Sequence, residues 1–256
     1  MNDLLRVEGL EKNFGKQCVL RDVAFSVNFG EFVSILGPSG CGKTTLMRII
    51  MGLDKPSGGK LYVGEEDVTN LRPVQRGFSI VFQDYALFPH MTLYDNIAYG
   101  LKLRKTSPKE IRERVLSTLS NLRLDDAVKK YPSQLSGGMQ QRAAIARALV
   151  LDAKLLLLDE PFSSLDALVK VELSDELRAL QDEFHITMIM VTHDLEDAFS
   201  LSDRVILMEE GQIVADASPY RLYQNESDNP FVQAFIIDQL DKRGRYVRNI
   251  TSGEKH

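Results

Sequence analysis

The stretch LGPSGCGKTT, residues 36–45, contains the pattern G-x-x-x-x-G-K-[ST], which is typical of loops that cradle phosphate groups. The residues before it, EFVSILG (31–37), are a nearly continuous apolar run, which predicts a strand buried on both faces. The residues after it, KTTLMRIIMGL (43–53), predict a helix that ends near Gly52. A strand, a glycine-rich turn and a helix in this order are the context that a phosphate-binding loop requires.

The residue types in this loop suit a nucleotide. Its glycines let the backbone turn tightly and point N–H groups inward, while the following helix presents its positive end. Lys43 is long enough to reach the β- and γ-phosphates, and the hydroxyl of Thr44 is suited to Mg²⁺. The predicted nucleotide-binding residues are Gly37, Pro38, Ser39, Gly40, Cys41, Gly42, Lys43, Thr44 and Thr45.

A second pattern, LLLLDE at 155–160, joins four apolar residues to two carboxylates. It predicts a buried strand whose end carries Asp159, to hold Mg²⁺, and Glu160, to polarise a water for attack on the γ-phosphate. Alone, the pattern would equally suit a buried strand with a solvated acidic end. The phosphate loop makes the catalytic interpretation the better one.

A third pattern, LSGGMQQR at 135–142, places a serine and two glycines before the strong helix former MQQRAAIARAL. It predicts a helix N-terminus with free N–H donors, which is a second anion-binding end. One chain already has its phosphate loop for binding the phosphates of a nucleotide.

These motifs, with SSLD at 163–166 and VTHD at 191–194, resemble those of the nucleotide-binding subunit of ATP-binding-cassette (ABC) transporters. The resemblance runs from about residue 4 to residue 222. It implies an ATPase with ATP and Mg²⁺ as cofactors. It also implies an α/β fold: a P-loop NTPase core with an N-terminal antiparallel β subdomain and an inserted helical subdomain.

The coarse pattern along the chain agrees with this organisation, because strand-like segments occur at both ends and helical ones between them. We expect a single ABC ATPase domain over 1–222, with core segments 1–83 and 151–222 around a helical subdomain, 84–150. Residues 223–256 are expected to form a C-terminal helix and a polar tail.

The resemblance also implies roles for single residues. Ser136, Gly137, Gly138 and Gln140 would contact the ATP of the opposite subunit, and Asp166 would lie at the dimer interface. Gln83 would approach Mg²⁺ and the attacking water, and His193 would contact the γ-phosphate. The predicted catalytic residues are therefore Lys43, Gln83, Glu160 and His193, and the predicted Mg²⁺ ligands are Thr44, Gln83 and Asp159. Phe14 would stack on adenine, although a core position would suit it as well.

The stretch QDYALFPHMTLYDNIAYGL (83–101) is similar to importer ATPases, including those for polyamines, ferric iron, sulfate, phosphonates and maltose. That implies transmembrane permease subunits, a second ATPase subunit, identical or not, and indirectly a solute-binding protein. It also implies a peripheral position at the cytoplasmic face of the membrane. An apolar socket for a permease helix is predicted, or else a packed loop; its residues are Tyr85, Leu87, Phe88, Pro89 and Met91.

Composition and length limit the classes of protein to which this chain could belong. A net charge of −5 argues against a dedicated nucleic-acid binder, and two cysteines make no disulfide framework. No apolar run is long enough to span a bilayer, so a membrane part is expected in another chain. Several relatives carry a C-terminal regulatory domain, and with 256 residues we do not expect one here.

Three other functions remain as alternatives. An ABC ATPase of DNA repair or translation is disfavoured by the short spacing between Ser136 and Asp159, which leaves no room for a coiled coil. An exporter ATPase is disfavoured because such ATPases are often fused to membrane spans, and this sequence has no apolar run of that length. A subunit that binds ATP without hydrolysing it fits poorly with the complete set of predicted catalytic residues.

Overall fold

The computed structural model describes residues 3–163, 165–224 and 228–242. In this part of the chain the strands are β1 (Asp3–Phe14), β2 (Gln17–Asn28), β3 (Phe32–Leu36), β4 (Gly58–Val63), β5 (Glu66–Asp67), β6 (Phe78–Val81), β7 (Leu155–Asp159), β8 (Thr187–Thr192), β9 (Arg204–Glu209) and β10 (Gln212–Ala217). The helices are α1 (Lys43–Met51), α2 (Pro73–Arg76), α3 (Leu93–Leu103), α4 (Pro108–Asn121), α5 (Gly137–Leu149), α6 (Ala167–Phe184), α7 (Leu195–Leu201), α8 (Pro219–Tyr223) and α9 (Pro230–Val232), the last continuing as a π-helical segment, Gln233–Ile237.

The strands form two sheets. One is antiparallel, with the order β2-β1-β4-β5. The other has six strands in the order β10-β9-β3-β8-β7-β6 and is parallel except for β10. Its inner strands β3 and β8 are buried along their whole length, as expected for strands covered on both faces.

Helix α1 packs in an apolar core that the two sheets share. Leu46 and Ile50 of α1 lie in the same buried cluster as Leu5 of β1 and Ile35 of β3. The end of α1 is capped by Arg76, whose buried guanidinium donates to the carbonyl oxygens of Ile49 and Ile50, each at 2.6 Å. The carbonyls of the last helical turn have no partner within the helix, so this side chain satisfies them.

Helices α3, α4 and α5 lie between β6 and β7 in the chain and share a second core, which includes Ile97, Val115 and Ala144. The first of these helices begins only at Leu93. Residues 83–92 form an irregular segment at the start of the predicted helical region. The division into an ATPase core and a helical subdomain stays a prediction.

The hairpin of β9 and β10 turns at Glu210 and Gly211, and both residues have positive φ, 44° and 81°. Two positive values are typical of the type I′ turn that suits a two-residue hairpin. The Gly211 N–H donates to the Cys41 carbonyl at 3.0 Å, and the Gly211 carbonyl accepts from the Arg21 N–H at 2.9 Å. A side chain on Gly211 would overlap the Val19 carbonyl oxygen. The hairpin tip therefore joins the antiparallel sheet to the loop after β3.

The C-terminal part is described only to residue 242. Val232 and Ile236 pack with Leu222 in a third apolar cluster, against β3 and β9. Of the predicted C-terminal helix and polar tail, 223–256, residues 225–227 and 243–256 lie outside the described residues. Among the helices of the described segments, none has the length and apolar character needed to cross a lipid bilayer.

Candidate active site

The register of the parallel sheet brings several predicted residues to one edge. The last residues of neighbouring strands are level with one another: Val81 with Leu158, Asp159 with Val191, and Leu36 with Thr192. The chain continues from these strand ends to the predicted site residues Gly37, Gln83, Glu160 and His193. The carboxyl edge of a parallel sheet is where α/β proteins bind ligands.

The loop after β3 has the geometry that its glycines predict. Gly40 and Gly42 have φ of 83° and 107°, in the left-handed region that favours glycine. A Cβ atom on Gly37 would overlap the Met208 carbonyl of β9, whereas one on Gly40 would meet nothing within 4 Å. The loop therefore packs against the sheet at Gly37 and is open to solvent at its tip, where Ser39 is also exposed.

Lys43 is buried at the start of α1, and its ammonium group lies inside this loop. Its Nζ donates to the carbonyl oxygens of Gly37 and Pro38 at 2.8 and 2.9 Å and lies 3.8 Å from Cys41 Sγ. Thr44, the next residue, is exposed. A cation held at a helix N-terminus is suited to binding phosphate oxygens.

Asp159 ends β7 and is half-buried. Burial and the neighbouring Glu160 both raise the pKa of Asp159, and Lys43 opposes them. A partly desolvated carboxylate next to a second carboxylate is stabilised by a divalent cation. Oxygen ligands from a carboxylate, the Thr44 hydroxyl and the Gln83 amide are those that Mg²⁺ prefers. The residues present therefore fit a magnesium ion.

Glu160 has a strained backbone and a direct contact with His193. Its φ is 46°, which is unusual for a residue other than glycine, and its N–H donates to the Val191 carbonyl at 2.9 Å. The Ser163 hydroxyl donates to the Glu160 carbonyl at 3.0 Å. The side-chain atoms Glu160 Oε1 and His193 Nδ1 are 3.0 Å apart beside a cavity of about 230 Å³. Strain of this kind is typical of functional sites.

The LSGG motif begins α5. Ser136 caps the helix, its hydroxyl accepting from the Met139 N–H at 3.4 Å, and Gly137 is exposed. A Cβ atom on Gly138 would lie 3.2 Å from Val169 of α6. The Gln140 side chain donates to the carbonyls of Pro132 and Leu135 at 3.0 and 3.3 Å, and its contact with the ATP of the opposite subunit stays a prediction.

Two other predicted residues lie at exposed positions. Asp166 caps α6, its carboxylate accepting from the Val169 N–H at 3.1 Å. Phe14, at the end of β1, is 51% exposed, and the Lys12 ammonium lies 4.6 Å from the centre of its ring. Phe14 therefore does not lie in the core, which was the alternative to stacking on adenine. The stacking itself stays a prediction.

The segment after Gln83 is held in place by two residues that the motifs do not reveal. Arg147 of α5 donates to the carbonyls of Tyr85 and Ala86 at 2.9 and 2.6 Å, and both of those residues have positive φ. Asn96 of α3 is fully buried and bonds the backbone at Phe88, Met91 and Thr92. In the sequence, the one signal for these contacts is Asn96 itself, an asparagine on the apolar face of a predicted helix.

The predicted socket residues differ in exposure. Tyr85 is buried, Pro89 is exposed, and Leu87, Phe88 and Met91 are intermediate. The Phe88 and Tyr99 rings lie 4.8 Å apart in a tilted arrangement. The segment is therefore packed in part and accessible in part.

Comparisons with known proteins agree with this arrangement. A sequence model of the family described as "ABC transporter" matches residues 20–163. The spermidine/putrescine import ATP-binding protein PotA of Haemophilus influenzae is 44% identical over 233 residues, and that of Vibrio vulnificus is 46% identical. In both cases the match covers 91% of this chain and 62% of the relative's own length.

A solved structure has a similar fold. CbiO1 of Clostridium perfringens, described as part of the ABC transporter complex cbiONQ, is 29% identical. Its TM-score is 0.83, and the match covers 97% of this chain and 100% of that one. The fold class predicted from the sequence is thereby confirmed: a P-loop NTPase core with an N-terminal antiparallel sheet and helices inserted between β6 and β7.

Proposed function

This chain belongs to the ABC transporter family, and on that premise we propose that it hydrolyses ATP as the energy-supplying subunit of a solute importer. One observation carries the proposal: Asp159 ends its strand, and the phosphate loop, Glu160 and His193 directly follow strands that end at the same sheet edge. A nucleotide held by the loop would have its γ-phosphate turned toward the two carboxylates.

Each residue has a task in hydrolysis. The loop amides and Lys43 bind the phosphates. Glu160 accepts a proton from water as its oxygen attacks the γ-phosphorus, and the bond to the β,γ-bridging oxygen breaks. His193 orients Glu160 through their 3.0 Å contact and would contact the γ-phosphate. Mg²⁺, held by Thr44, Asp159 and Gln83, would neutralise charge on the phosphates.

We propose that two ATPase subunits act as a pair. Support comes from the exposed start of α5 and from its neighbour α6, where Leu168 is 81% and Val171 is 61% exposed. In the pair, Ser136, Gly137 and their neighbours would contact the ATP of the opposite subunit. Asp166 would lie between the subunits. Gain or loss of the γ-phosphate would then close or open the pair.

The membrane partners are proposed from the relatives. The PotA proteins are named as import ATP-binding proteins, and CbiO1 is described as part of a transporter complex. We propose transmembrane permease subunits that contact the segment after Gln83, a solute-binding protein that delivers the solute, and a position at the cytoplasmic face of the membrane. No nucleic-acid partner is proposed. A polyamine is the first solute to test, because the PotA names print spermidine and putrescine.

Two measurements test the proposal. The purified chain should hydrolyse ATP in the presence of Mg²⁺. Lys43→Ala should abolish ATP binding, whereas Lys55→Ala, at an exposed position, should leave it unchanged.

The tagged chain, recovered from gently solubilised membranes of its own cell, should bring integral membrane subunits with it. Recovery of ribosomal or DNA-associated proteins alone would overturn the transport assignment and leave the ATPase assignment standing.

A further inference from the structure

A cluster of three charged side chains lines the cavity beside Glu160 and His193. Lys170 Nζ lies 2.7 Å from Asp194 Oδ2 and 2.7 Å from Asp197 Oδ1. The Lys170 side chain is only 21% exposed and that of Asp197 8%. Burial by itself lowers the pKa of Lys170, but hydrogen bonds to the two carboxylates raise it above its usual range. The cluster is therefore a partly buried network of charges, in which removal of one member leaves the opposite charge without compensation.

The cluster connects two parts of the site. Lys170 lies one helical turn after Asp166, and its N–H donates to the Asp166 carbonyl at 2.9 Å. Asp194 directly follows His193 and is the N-cap of α7. Its carboxylate accepts a hydrogen bond from the Glu196 N–H at 2.8 Å. Lys170 thus ties the start of α6 to the backbone on the C-terminal side of His193.

A second cation joins the same two helices at their other end. Arg178, two turns further along α6, donates to the Leu201 carbonyl at 3.0 Å and to Asp203 Oδ1 at 3.0 Å. Leu201 is the last residue of α7, whereas Asp194 precedes its first. Helix α7 is therefore held against α6 at both ends, and only the Lys170 end adjoins His193.

We propose that Lys170 is a positioning residue for ATP hydrolysis. By pairing with Asp194 and Asp197 it fixes the loop that carries His193, and so maintains the 3.0 Å contact between His193 Nδ1 and Glu160 Oε1. It also makes the position of His193 depend on the start of α6, where Asp166 lies. This inference rests on the ATPase activity proposed above, since it concerns the same site.

The test compares two variants that each remove one cation from α6. Lys170→Met is expected to lower kcat for ATP at least about tenfold with KM changed by less than about twofold, because a displaced catalytic group costs turnover while the phosphate loop is untouched. Arg178→Met removes the matching clamp at the far end of α7 and is expected to leave kcat within about twofold of the wild type.

A third variant separates positioning from folding. In Lys170→Met the Asp197 carboxylate is left without its cation, which lowers stability. Lys170→Met/Asp197→Asn removes that carboxylate charge, so the melting temperature should recover while kcat stays low. Equal kcat values for the Lys170 and Arg178 variants, or recovery of kcat together with stability in the double variant, would overturn the positioning role. Absence of ATPase activity in the wild-type chain would overturn the proposed function, and this inference with it.

Discussion

At the scale of single residues, the site depends on where one carboxylate lies. Glu160 adopts a left-handed backbone that a glycine would adopt at less cost, and its N–H and carbonyl are both hydrogen-bonded. These bonds hold Glu160 at the end of β7 with its side chain against His193. A carboxylate held in this way is suited to accept a proton from water.

Glu160→Gln is expected to keep ATP binding and to lower kcat by at least about 100-fold, because an amide cannot accept the proton. Steady-state ATPase assays and equilibrium binding of ATP measure the two effects. Glu172→Gln, on the exposed face of α6, is the matched control and should behave as the wild type. Turnover of Glu160→Gln near the wild-type rate would remove Glu160 from the role of base.

Phe14 offers a separate test at this scale, since its ring is accessible. Phe14→Ala is expected to raise KM for ATP by up to roughly tenfold, which corresponds to the loss of up to about 1.4 kcal/mol of stacking. Phe29→Ala removes an equally exposed ring between β2 and β3 and should leave KM unchanged. Equal KM values for the two variants would show that Phe14 does not stack on the nucleotide.

At the scale of elements, polar side chains on helices fix the segments between them. Arg76 caps α1, Asn96 holds the segment after Gln83 from α3, and Arg147 holds it from α5. Helix α5 also carries the LSGG motif at its other end. Helix α5 thus connects the motif that would contact a second nucleotide to the segment proposed to contact a permease.

Asn96→Ala is expected to lower the free energy of unfolding by about 3 kcal/mol, because the buried amide group satisfies several backbone groups at once. Urea denaturation monitored by circular dichroism gives the value. Asn121→Ala, at the exposed end of α4, should change stability by no more than about 0.5 kcal/mol. A loss as small as that control's would mean that the segment is held by other contacts.

At the scale of the whole molecule, the sequence predicts the central features and misses the connections between them. The positions of Lys43 and Glu160 are predictable because a glycine-rich phosphate loop and an acidic pair each follow a buried apolar run, and the carboxyl ends of parallel strands meet at one edge. Contacts such as Lys170 with Asp197 are not, because the partners lie on different helices and no local pattern pairs them. Arg147 is hidden for the same reason.

The pairing of two subunits can be tested on the same scale. Glu160→Gln is expected to form a dimer when ATP is added, because the γ-phosphate persists. Adding Gly137→Asp should keep the chain monomeric, since it puts a negative charge where that phosphate would bind. A side chain at Gly137 meets only ordinary contact with Leu165, and an acidic residue suits a helix N-terminus, so the fold should persist.

Light scattering with and without ATP reports the mass. Ser133→Asp in the same Glu160→Gln background adds an identical charge at an exposed position outside the motif and should still permit the dimer. Dimers of the Gly137→Asp variant would refute contact between this helix end and the partner's nucleotide.

The hairpin tip at Gly211 has a consequence for how the chain acquires its function during synthesis. The Cys41 carbonyl of the phosphate loop receives its hydrogen bond from Gly211, which is synthesised about 170 residues later. At ordinary elongation rates this delay is on the order of 10 s. A nascent chain that has completed the loop sequence therefore still lacks the support that fixes it. Competence to bind nucleotide is expected only once the hairpin of β9 and β10 has emerged and the central sheet has closed, rather than with emergence of the phosphate-loop motif.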